Sequence, residues 1–301
     1  MKVDYHLPTA HRTMLNYYTW HERLGHVGET VIKSMGLPST ATTCKVCALN
    51  KAHRLPFKDH FDPAHLPLDC VHIDLVGPIS PPSISRCKYI LRIVDQATSF
   101  RIVWFLKNKS NTFHQFTVTK KLMETQHNCS LKKLVSDRGG EFLNSQFQQL
   151  ENECGSVHSF SPAYTPEHNS LAERANHTIL EKTRCMLNAT KLPNSYWAEA
   201  VSTASLLSNY VPTPLRHNHL PHTLWTSLPP RIKKLRVFGF QAIVMTPKEH
   251  QDCKLGPTGV EGILLGYENN ISVYQVLCLS NRKIFVSLEV YFTYPNRPQL
   301  S

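Results

Sequence analysis

The segments VHIDLV at residues 71–76, YILRIVD at 89–95 and RIVWFL at 101–106 lie close together in the sequence. Each is a short run of mainly β-branched and aliphatic residues, which is typical of a buried β-strand. The segments that follow predict a helix at 110–127, a strand at 131–137, a helix at 145–154, a strand at 157–161 and a helix at 171–188. Three neighbouring strands followed by alternating helices and strands indicate an α/β layer fold with a mixed sheet.

The last third of the chain has a different pattern. A helical segment at 195–210 precedes four strand-like runs: LRVFGFQAIVM at 235–245, VEGILLGY at 260–267, SVYQVLCL at 272–279 and KIFVSLEVYF at 283–292. Strands spaced this closely predict a small antiparallel barrel or sandwich. A length of 301 residues suggests roughly two domains, but Pro-rich segments divide this chain into three parts, at 1–60, 66–192 and 193–301.

The chain is basic, with 33 Lys+Arg against 22 Asp+Glu and a formal net charge of +11. The excess lies in the flanks, with a net charge of +4 over residues 1–60 and +5 over 191–301, against +2 over 61–190. Basic flanks around a nearly neutral centre are typical of a protein whose partner is a polyanion, most often nucleic acid.

Several classes of protein are disfavoured by the sequence. The start, MKVDYHLPTAHR, has no apolar run and predicts no secretory signal. The longest uncharged stretch, at 200–215, is rich in Ser, Thr, Asn and Pro, so no membrane span or membrane partner is predicted. Nine widely spaced cysteines, an odd number, favour reduced thiols and an intracellular location.

The N-terminal part contains a candidate zinc site. WHERLGH places His21 and His26 with four residues between them, and CKVC places Cys44 and Cys47 with two between them. Two imidazoles and two thiolates complete a tetrahedral Zn²⁺ shell, which leaves no open position and so predicts a structural ion. The alternative is a chance Cys-x-x-Cys in a chain that has 17 histidines.

Three acidic residues in the central part are candidate catalytic and metal-binding residues. Asp74 lies inside VHIDLV, Asp137 ends LKKLVSD, and Glu173 opens the long helix, with 35 residues between the last two. Carboxylates converging from two strand ends and a helix can hold two Mg²⁺ or Mn²⁺ ions for phosphodiester chemistry. Each acid also has an ordinary structural explanation: a buried strand-end Asp, a turn Asp before Gly, and a capping box of Glu173 with Ser170.

The helix that contains Glu173 also offers a polar face for nucleic acid. Asn176, His177 and Arg184 lie on roughly the same side as Glu173 and could approach DNA phosphates or bases. The alternative is a solvated polar helix face. A second basic segment, RIKKLR at 231–236, predicts either an exposed strand edge, which its alternating Ile and Leu favour, or a nuclear-import signal.

These motifs together resemble the integrases of copia-type retrotransposons, distant relatives of retroviral integrases. WHERLGH with CKVC is similar to the pre-integrase zinc motif of this family, and HIDLVGP, SDRGGEF and TPEHNSLAERAN are similar to its three catalytic blocks, in the same order. KLPNSYWAEAV, LRVFGFQAIV and GILLGY resemble the segments that follow the catalytic core. The chain departs from the family at three positions. Ser170 and Asn50 each stand where the family commonly has Gly, and Ala175 stands where it has Lys.

The resemblance implies an RNase H-like catalytic core with Asp74, Asp137 and Glu173 as Mg²⁺ ligands. It implies a polynucleotidyl transferase that trims the 3′ ends of element DNA, with water attacking, and then joins the new 3′ hydroxyls to target DNA. It also implies double-stranded DNA as partner, a homo-oligomer assembled on two DNA ends, a parent Pol polyprotein, and a nuclear site of action preceded by cytoplasmic particles.

Two other functions stay open from the residues alone. One is a non-catalytic nucleic-acid-binding relic of such an element, which Ser170 and Ala175 favour. The other is a simple RNase H-like nuclease, which the zinc motif and the C-terminal part disfavour.

Overall fold

The computed structural model describes residues 17–37, 44–51, 64–160, 170–245, 257–268 and 271–292. The helices are α1 (Tyr17–Arg23), α2 (Glu29–Ser34), α3 (Lys45–Asn50), α4 (Thr112–His127), α5 (Ser145–Cys154), α6 (Ser170–Thr190), α7 (Trp197–Asn209) and α8 (Pro221–Thr226). The strands are β1 (Val71–Val76), β2 (Tyr89–Asp95), β3 (Arg101–Leu106), β4 (Lys133–Ser136), β5 (Val157–Phe160), β6 (Gln241–Met245), β7 (Gly259–Glu268), β8 (Val273–Cys278), β9 (Ile284–Ser287) and β10 (Val290–Phe292). Short 3₁₀ turns lie at Lys109–Asn111, Asn194–Tyr196, Pro214–Arg216 and Ile232–Lys234.

The chain forms two compact units. The core unit comprises Ala52–Glu181 and Ser208–Pro230, and the flank unit comprises Met1–Lys51, Lys182–Leu207 and Arg231–Ser301. The flank unit therefore joins the N-terminal helices to the C-terminal strands. The three-part division predicted from the sequence stays a prediction.

The core unit is built on a five-stranded mixed sheet in the order β3-β2-β1-β4-β5. The strands β1, β2 and β3 form an antiparallel meander, as expected where connections are short. The strands β4 and β5 run parallel to β1, and a helix precedes each of them as the crossover connection. This arrangement confirms the predicted α/β fold with an RNase H-like mixed sheet.

One face of this sheet carries the apolar core. Side chains alternate between the two faces of a strand, and one set from β1 and β2 packs with residues of α4 and α5: Val71, Ile73, Leu91, Ile93, Phe116, Met123 and Phe147. The opposite face carries the residues that alternate with this set, which include Asp74 and Arg92 and also the buried Ile90 and Val94. The core thus fixes the sheet and with it the positions of Asp74 and Arg92 on the other face.

Local signals define the ends of α5. The Asn144 side chain accepts hydrogen bonds from the backbone N–H groups of Gln146 and Phe147, which caps the N-terminus. Gly155 ends the helix at φ 64°, in the left-handed region that glycine adopts without steric cost. These caps hold Phe147 in the core.

Phe147→Ala is expected to lower the free energy of unfolding by about 3–5 kcal/mol, because it leaves a cavity among packed aromatic rings. Phe147 is buried, and its ring centroid lies 5.1 Å from that of Phe113 and 5.8 Å from that of Phe142. Denaturant titration measures the change. Phe285→Ala is the matched control, since that ring is 38% exposed, and an equal loss in both variants would contradict this assignment of the core.

The flank unit contains a second sheet, fully antiparallel, in the order β10-β6-β7-β8-β9. Most of the predicted C-terminal strands are present, with two differences. KIFVSLEVYF forms two strands, β9 and β10, rather than one, and LRVFGFQAIVM forms a strand only from Gln241 onwards. Gly239, at φ +80°, donates its backbone N–H to the Leu264 carbonyl and turns the chain before β6.

The prediction of an exposed strand edge at RIKKLR is wrong. Ile232–Lys234 form a 3₁₀ turn, and both Ile232 and Leu235 are buried. Apolar Ile and Leu interspersed with basic residues suggested a strand. The buried Ile232 and Leu235 are in fact three residues apart, and this spacing places them on one side of a 3₁₀ turn. Lys233 and Lys234 remain exposed, and the nuclear-import signal stays a prediction.

The sequence predicted no membrane span. Among the residues that the structure describes, every helix is too short or too polar to cross a bilayer. Among the described residues, the cysteines at positions 44, 47, 70, 87, 129, 185 and 278 are free thiols.

Candidate active site and metal centre

Asp74 and Asp137 lie side by side on neighbouring parallel strands. β1 pairs with β4 through Val71 with Leu134 and His72 with Val135. Continuing this register by two residues places Asp74 next to Asp137, which directly follows β4. Residues two apart along a strand share a face, so both carboxylates belong to the sheet face opposite the apolar core.

The carboxylate of Asp137 is held in a partly buried acidic cluster. Its Oδ1 accepts a hydrogen bond from the backbone N–H of Gly139 at 3.0 Å. Burial raises the pKa of Asp137, and the charges of Asp74 and Glu141 raise it further, while the Gly139 hydrogen bond opposes this. Charge accumulated in this way favours binding of a cation.

Gly139 separates the carboxylates of Asp137 and Glu141. A Cβ at this position would lie 2.9 Å from Glu141 Cδ and 3.1 Å from Asp137 Oδ1. Any larger residue would therefore push the two acids apart. Glu141 also forms an ion pair with Lys109, whose Nζ lies 3.5 Å from Glu141 Oε1. This contact places a basic group at the edge of the cluster.

Asp74 has a buried arginine as its neighbour across the sheet. Arg92 on β2 is paired directly with Asp74 in the antiparallel register, and its Nη2 lies 3.3 Å from Asp74 Oδ2. The Arg92 side chain is 1% exposed and that of Asp74 13%. Burial lowers the pKa of Arg92 to about 9, although Asp74 opposes the shift, so the guanidinium stays charged at neutral pH.

The predicted residues on α6 are placed only in part. Glu173 and Asn176 lie within α6, but their side chains are outside the described residues, as is the proposed capping contact of Ser170. His177 is exposed and its Nδ1 lies 3.6 Å from Glu181 Oε1. Arg184 is also exposed. Both are accessible to a partner, and their role in DNA binding stays a prediction.

The four predicted zinc ligands form one compact cluster. Their ligand atoms all lie within 4.8 Å of one another. His21 Nε2 lies 3.1 Å from His26 Nδ1 and 3.2 Å from Cys47 Sγ. His26 Nδ1 in turn lies 3.6 Å from Cys44 Sγ and 3.5 Å from Cys47 Sγ.

The four distances of 3.1–3.6 Å are close to the edges of a tetrahedron around one ion. With Zn–N bonds of about 2.0–2.1 Å and Zn–S bonds of about 2.3 Å, tetrahedral ligand atoms lie about 3.3–3.8 Å apart. The second nitrogen of His21, Nδ1, lies 2.7 Å from the Val27 carbonyl oxygen. That bond orients the ring and leaves Nε2 as the ligand atom.

The protonation chemistry of the cluster also suits a metal. Burial, with the charges of His21 and Lys51, lowers the pKa of His26 to about 3, so its imidazole is neutral, as ligation requires. A hydrogen bond with Cys185, followed by burial, raises the pKa of Cys47 to about 12. A metal ion must therefore displace the proton of that thiol when it binds.

Sequence reasoning missed Arg92, Glu141 and Lys109 as parts of the site. Arg92 had a detectable signal, because it is a single charge inside the apolar run YILRIVD. Glu141 belongs to the quoted block SDRGGEF, four residues after Asp137. Lys109 had no local signal, since its contact with Glu141 spans 32 residues.

Comparisons with known proteins match two segments of the chain to described families. Residues 64–166 match the integrase core domain family, and residues 240–298 match the retroviral polymerase SH3-like domain family. The chain thus has a segment similar to an integrase core domain, followed by a segment similar to an SH3-like domain. The resemblance to copia-type retrotransposon integrases is confirmed.

The curated relatives are transposon polyproteins. The chain is 34% identical over 281 residues to the retrovirus-related Pol polyprotein from transposon TNT 1-94 of Nicotiana tabacum, and 31% identical over 284 residues to that from transposon RE2 of Arabidopsis thaliana. Each match covers 91% of this chain, but only 21% and 19% of the respective relatives. The chain therefore spans about a fifth of the length of these polyproteins.

A solved structure, the HTLV-2 integrase catalytic core domain in complex with magnesium, is 19% identical, with a TM-score of 0.41. The match covers 53% of this chain and 97% of that one. The fold assignment rests on the strand order and on the family match.

Proposed function

We propose that this chain is the integrase of a retrotransposon, a polynucleotidyl transferase dependent on Mg²⁺ or Mn²⁺. It would trim the 3′ ends of element DNA and join them to target DNA. The observation that carries this proposal is the register of β1 and β4, which brings Asp74 and Asp137 together on the sheet face opposite the apolar core.

The residues present fit a divalent cation with oxygen ligands. Asp74 and Asp137 offer hard carboxylate oxygens, the donors that Mg²⁺ and Mn²⁺ prefer. The raised pKa of Asp137 reflects crowded, partly desolvated negative charge, which a cation would relieve. Glu173, in the first turn of α6, is the proposed third ligand.

When bound, such ions would activate the attacking oxygen and stabilise the leaving oxygen of a phosphodiester. The chain itself would supply position and charge. The sheet fixes the spacing of Asp74 and Asp137, and the Gly139 N–H holds the Asp137 carboxylate. His177 and Arg184, exposed on α6, would approach the DNA backbone.

The N-terminal cluster is proposed to hold a structural Zn²⁺. His21, His26, Cys44 and Cys47 supply four ligand atoms within 4.8 Å of one another, which fills a tetrahedral shell and leaves no position for a substrate. The ion would hold the short helices α1 and α3 together and so fix this segment of the flank unit.

Double-stranded DNA is the proposed partner, bound by a homo-oligomer that joins two element ends. The basic composition supports a polyanionic partner, with a formal net charge of +11. The nucleus is the proposed site of action, after assembly in cytoplasmic particles.

The test is an assay of the purified chain on end-labelled, blunt double-stranded DNA with Mn²⁺ or Mg²⁺. The proposal predicts two new products: strands shortened at the 3′ end and longer strands formed by joining.

The second candidate, an inactive DNA-binding relic of such an element, predicts salt-sensitive DNA binding without either product. Ser170 and Ala175, where the family has Gly and Lys, favour it. Hydrolysis without joining would instead indicate a nuclease and contradict the integrase proposal.

A further inference from the structure

The pairing of Arg92 with Asp74 is unusual for a site expected to bind cations. Arg92 stands directly opposite Asp74 across the β1–β2 ladder, so the two side chains share one face of the sheet. The guanidinium contacts Asp74 Oδ2 at 3.3 Å. A fixed positive charge therefore lies against a carboxylate that is proposed to bind Mg²⁺.

The burial of Arg92 makes this contact persistent. Its side chain is 1% exposed, so it cannot swing into solvent when a cation arrives. Two hydrogen-bonded strands fix its backbone from both sides, since Arg92 is also paired with Val103 on β3. By contrast, Lys109, a second basic group near the cluster, is 49% exposed and can move away.

We propose that Arg92 is a positioning residue that holds Asp74 through Oδ2, directs Oδ1 towards the metal, and weakens divalent-cation binding at this site. This inference rests on the proposed function of Asp74 and Asp137. Arg92 orients the ligand and at the same time repels the ion. The cost in affinity makes occupation of the site depend more strongly on other negative groups, such as the phosphates of bound DNA.

The expected size of the effect follows from Coulomb's law. A divalent ion on Oδ1 would lie on the order of 5 Å from the guanidinium, and even in a water-like dielectric this repulsion weakens binding roughly tenfold. Neutralising Arg92 should therefore tighten metal binding. A purely structural role predicts the opposite, because a disturbed Asp74 would bind the ion less well.

The experiment measures Mn²⁺ binding to the full chain by isothermal titration calorimetry, without DNA. Arg92→Gln removes the charge but keeps hydrogen-bonding capacity, and we expect it to bind Mn²⁺ roughly tenfold more tightly than the wild type. Arg92→Lys keeps the charge and is the matched control, with affinity near that of the wild type. Circular dichroism confirms that each variant is folded, and Arg92→Met is the second neutral variant if Arg92→Gln does not fold.

The variant Asp137→Asn distinguishes failure of the proposed role of Arg92 from failure of the proposed metal site. If Asp137→Asn binds Mn²⁺ as the wild type does, the proposed metal site itself is wrong. If Asp137→Asn loses binding while folded neutral variants of Arg92 bind no more tightly than the wild type, only the role of Arg92 is overturned. Equal tightening in Arg92→Lys would also overturn it, because that variant keeps the charge.

Discussion

Asp137→Asn is expected to reduce strand joining by at least about a hundredfold, since changing even the groups that orient a metal ligand costs 10–100-fold. The substitution removes the charge while keeping the shape of the side chain. Asn can still accept the hydrogen bond from the Gly139 N–H through Oδ1. The loss would therefore reflect the missing carboxylate and not a displaced loop.

The stability of this variant is a second readout. Burial and the neighbouring carboxylates raise the pKa of Asp137, so the ionised side chain destabilises the metal-free fold. Because its folded-state pKa lies above the unfolded value, this penalty is absent at low pH and grows as pH rises through the unfolded-state pKa. At neutral pH without divalent cations, Asp137→Asn should unfold at the same denaturant concentration as the wild type, or a higher one.

Asp69→Asn is the matched control for the joining assay. Asp69 also lies in the core unit, but its Oδ1 pairs with Lys132 Nζ at 2.7 Å on the surface, and such pairs contribute little. This variant should join DNA as the wild type does. Retained joining by Asp137→Asn, or an equal loss in Asp69→Asn, would contradict the assignment of Asp137.

The sequence predicted those parts of the site that depend on local pattern. Apolar runs located β1 and β4, and the acidic residues inside the first run and at the end of the second, Asp74 and Asp137, were predicted to converge on a metal site. The spacing within the His pair and within the Cys pair likewise predicted the cluster of four candidate zinc ligands. These are signals within short segments.

Features that depend on pairing between distant segments were not predictable in this way. The register that sets Arg92 opposite Asp74 is fixed by the whole β1–β2 ladder, and a one-residue shift would place Arg92 on the other face. Likewise, Asn50 hydrogen-bonds to Asn188 at 2.9 Å across 138 residues. Such contacts place the N-terminal helices beside the second half of α6, and no local pattern encodes them.

Removal of the zinc ligands is expected to unfold the N-terminal segment of the flank unit. The helices α1, α2 and α3 have only seven, six and six residues, and isolated helices of this length are unstable in water. Structural zinc contributes about 10–16 kcal/mol in comparable small modules. The buried side chains of the segment, such as Trp20 and Ile32, contribute free energy of the same order, so loss of the ion would remove a large share of what holds the segment folded.

Cys44→Ser tests this with two measurements. Elemental analysis should find about one zinc ion per wild-type chain and much less in the variant, because a hydroxyl is a poor ligand for this ion. Limited trypsin digestion should then cleave at Arg23, which is 8% exposed in the folded segment and therefore protected. Chelator treatment of the wild type should produce the same cleavage.

Cys129→Ser is the control, since Cys129 is an exposed thiol in the core unit. Its zinc content and digestion pattern should match those of the wild type. The core unit carries its own apolar core around Phe116 and Ile73, so it should remain folded in Cys44→Ser, and DNA binding by that unit should persist. Full zinc content in Cys44→Ser would contradict the ligand assignment. Loss of zinc without new cleavage would contradict the folding role of the ion, because other contacts within the flank unit, such as that of Asn50 with Asn188, would then hold the segment.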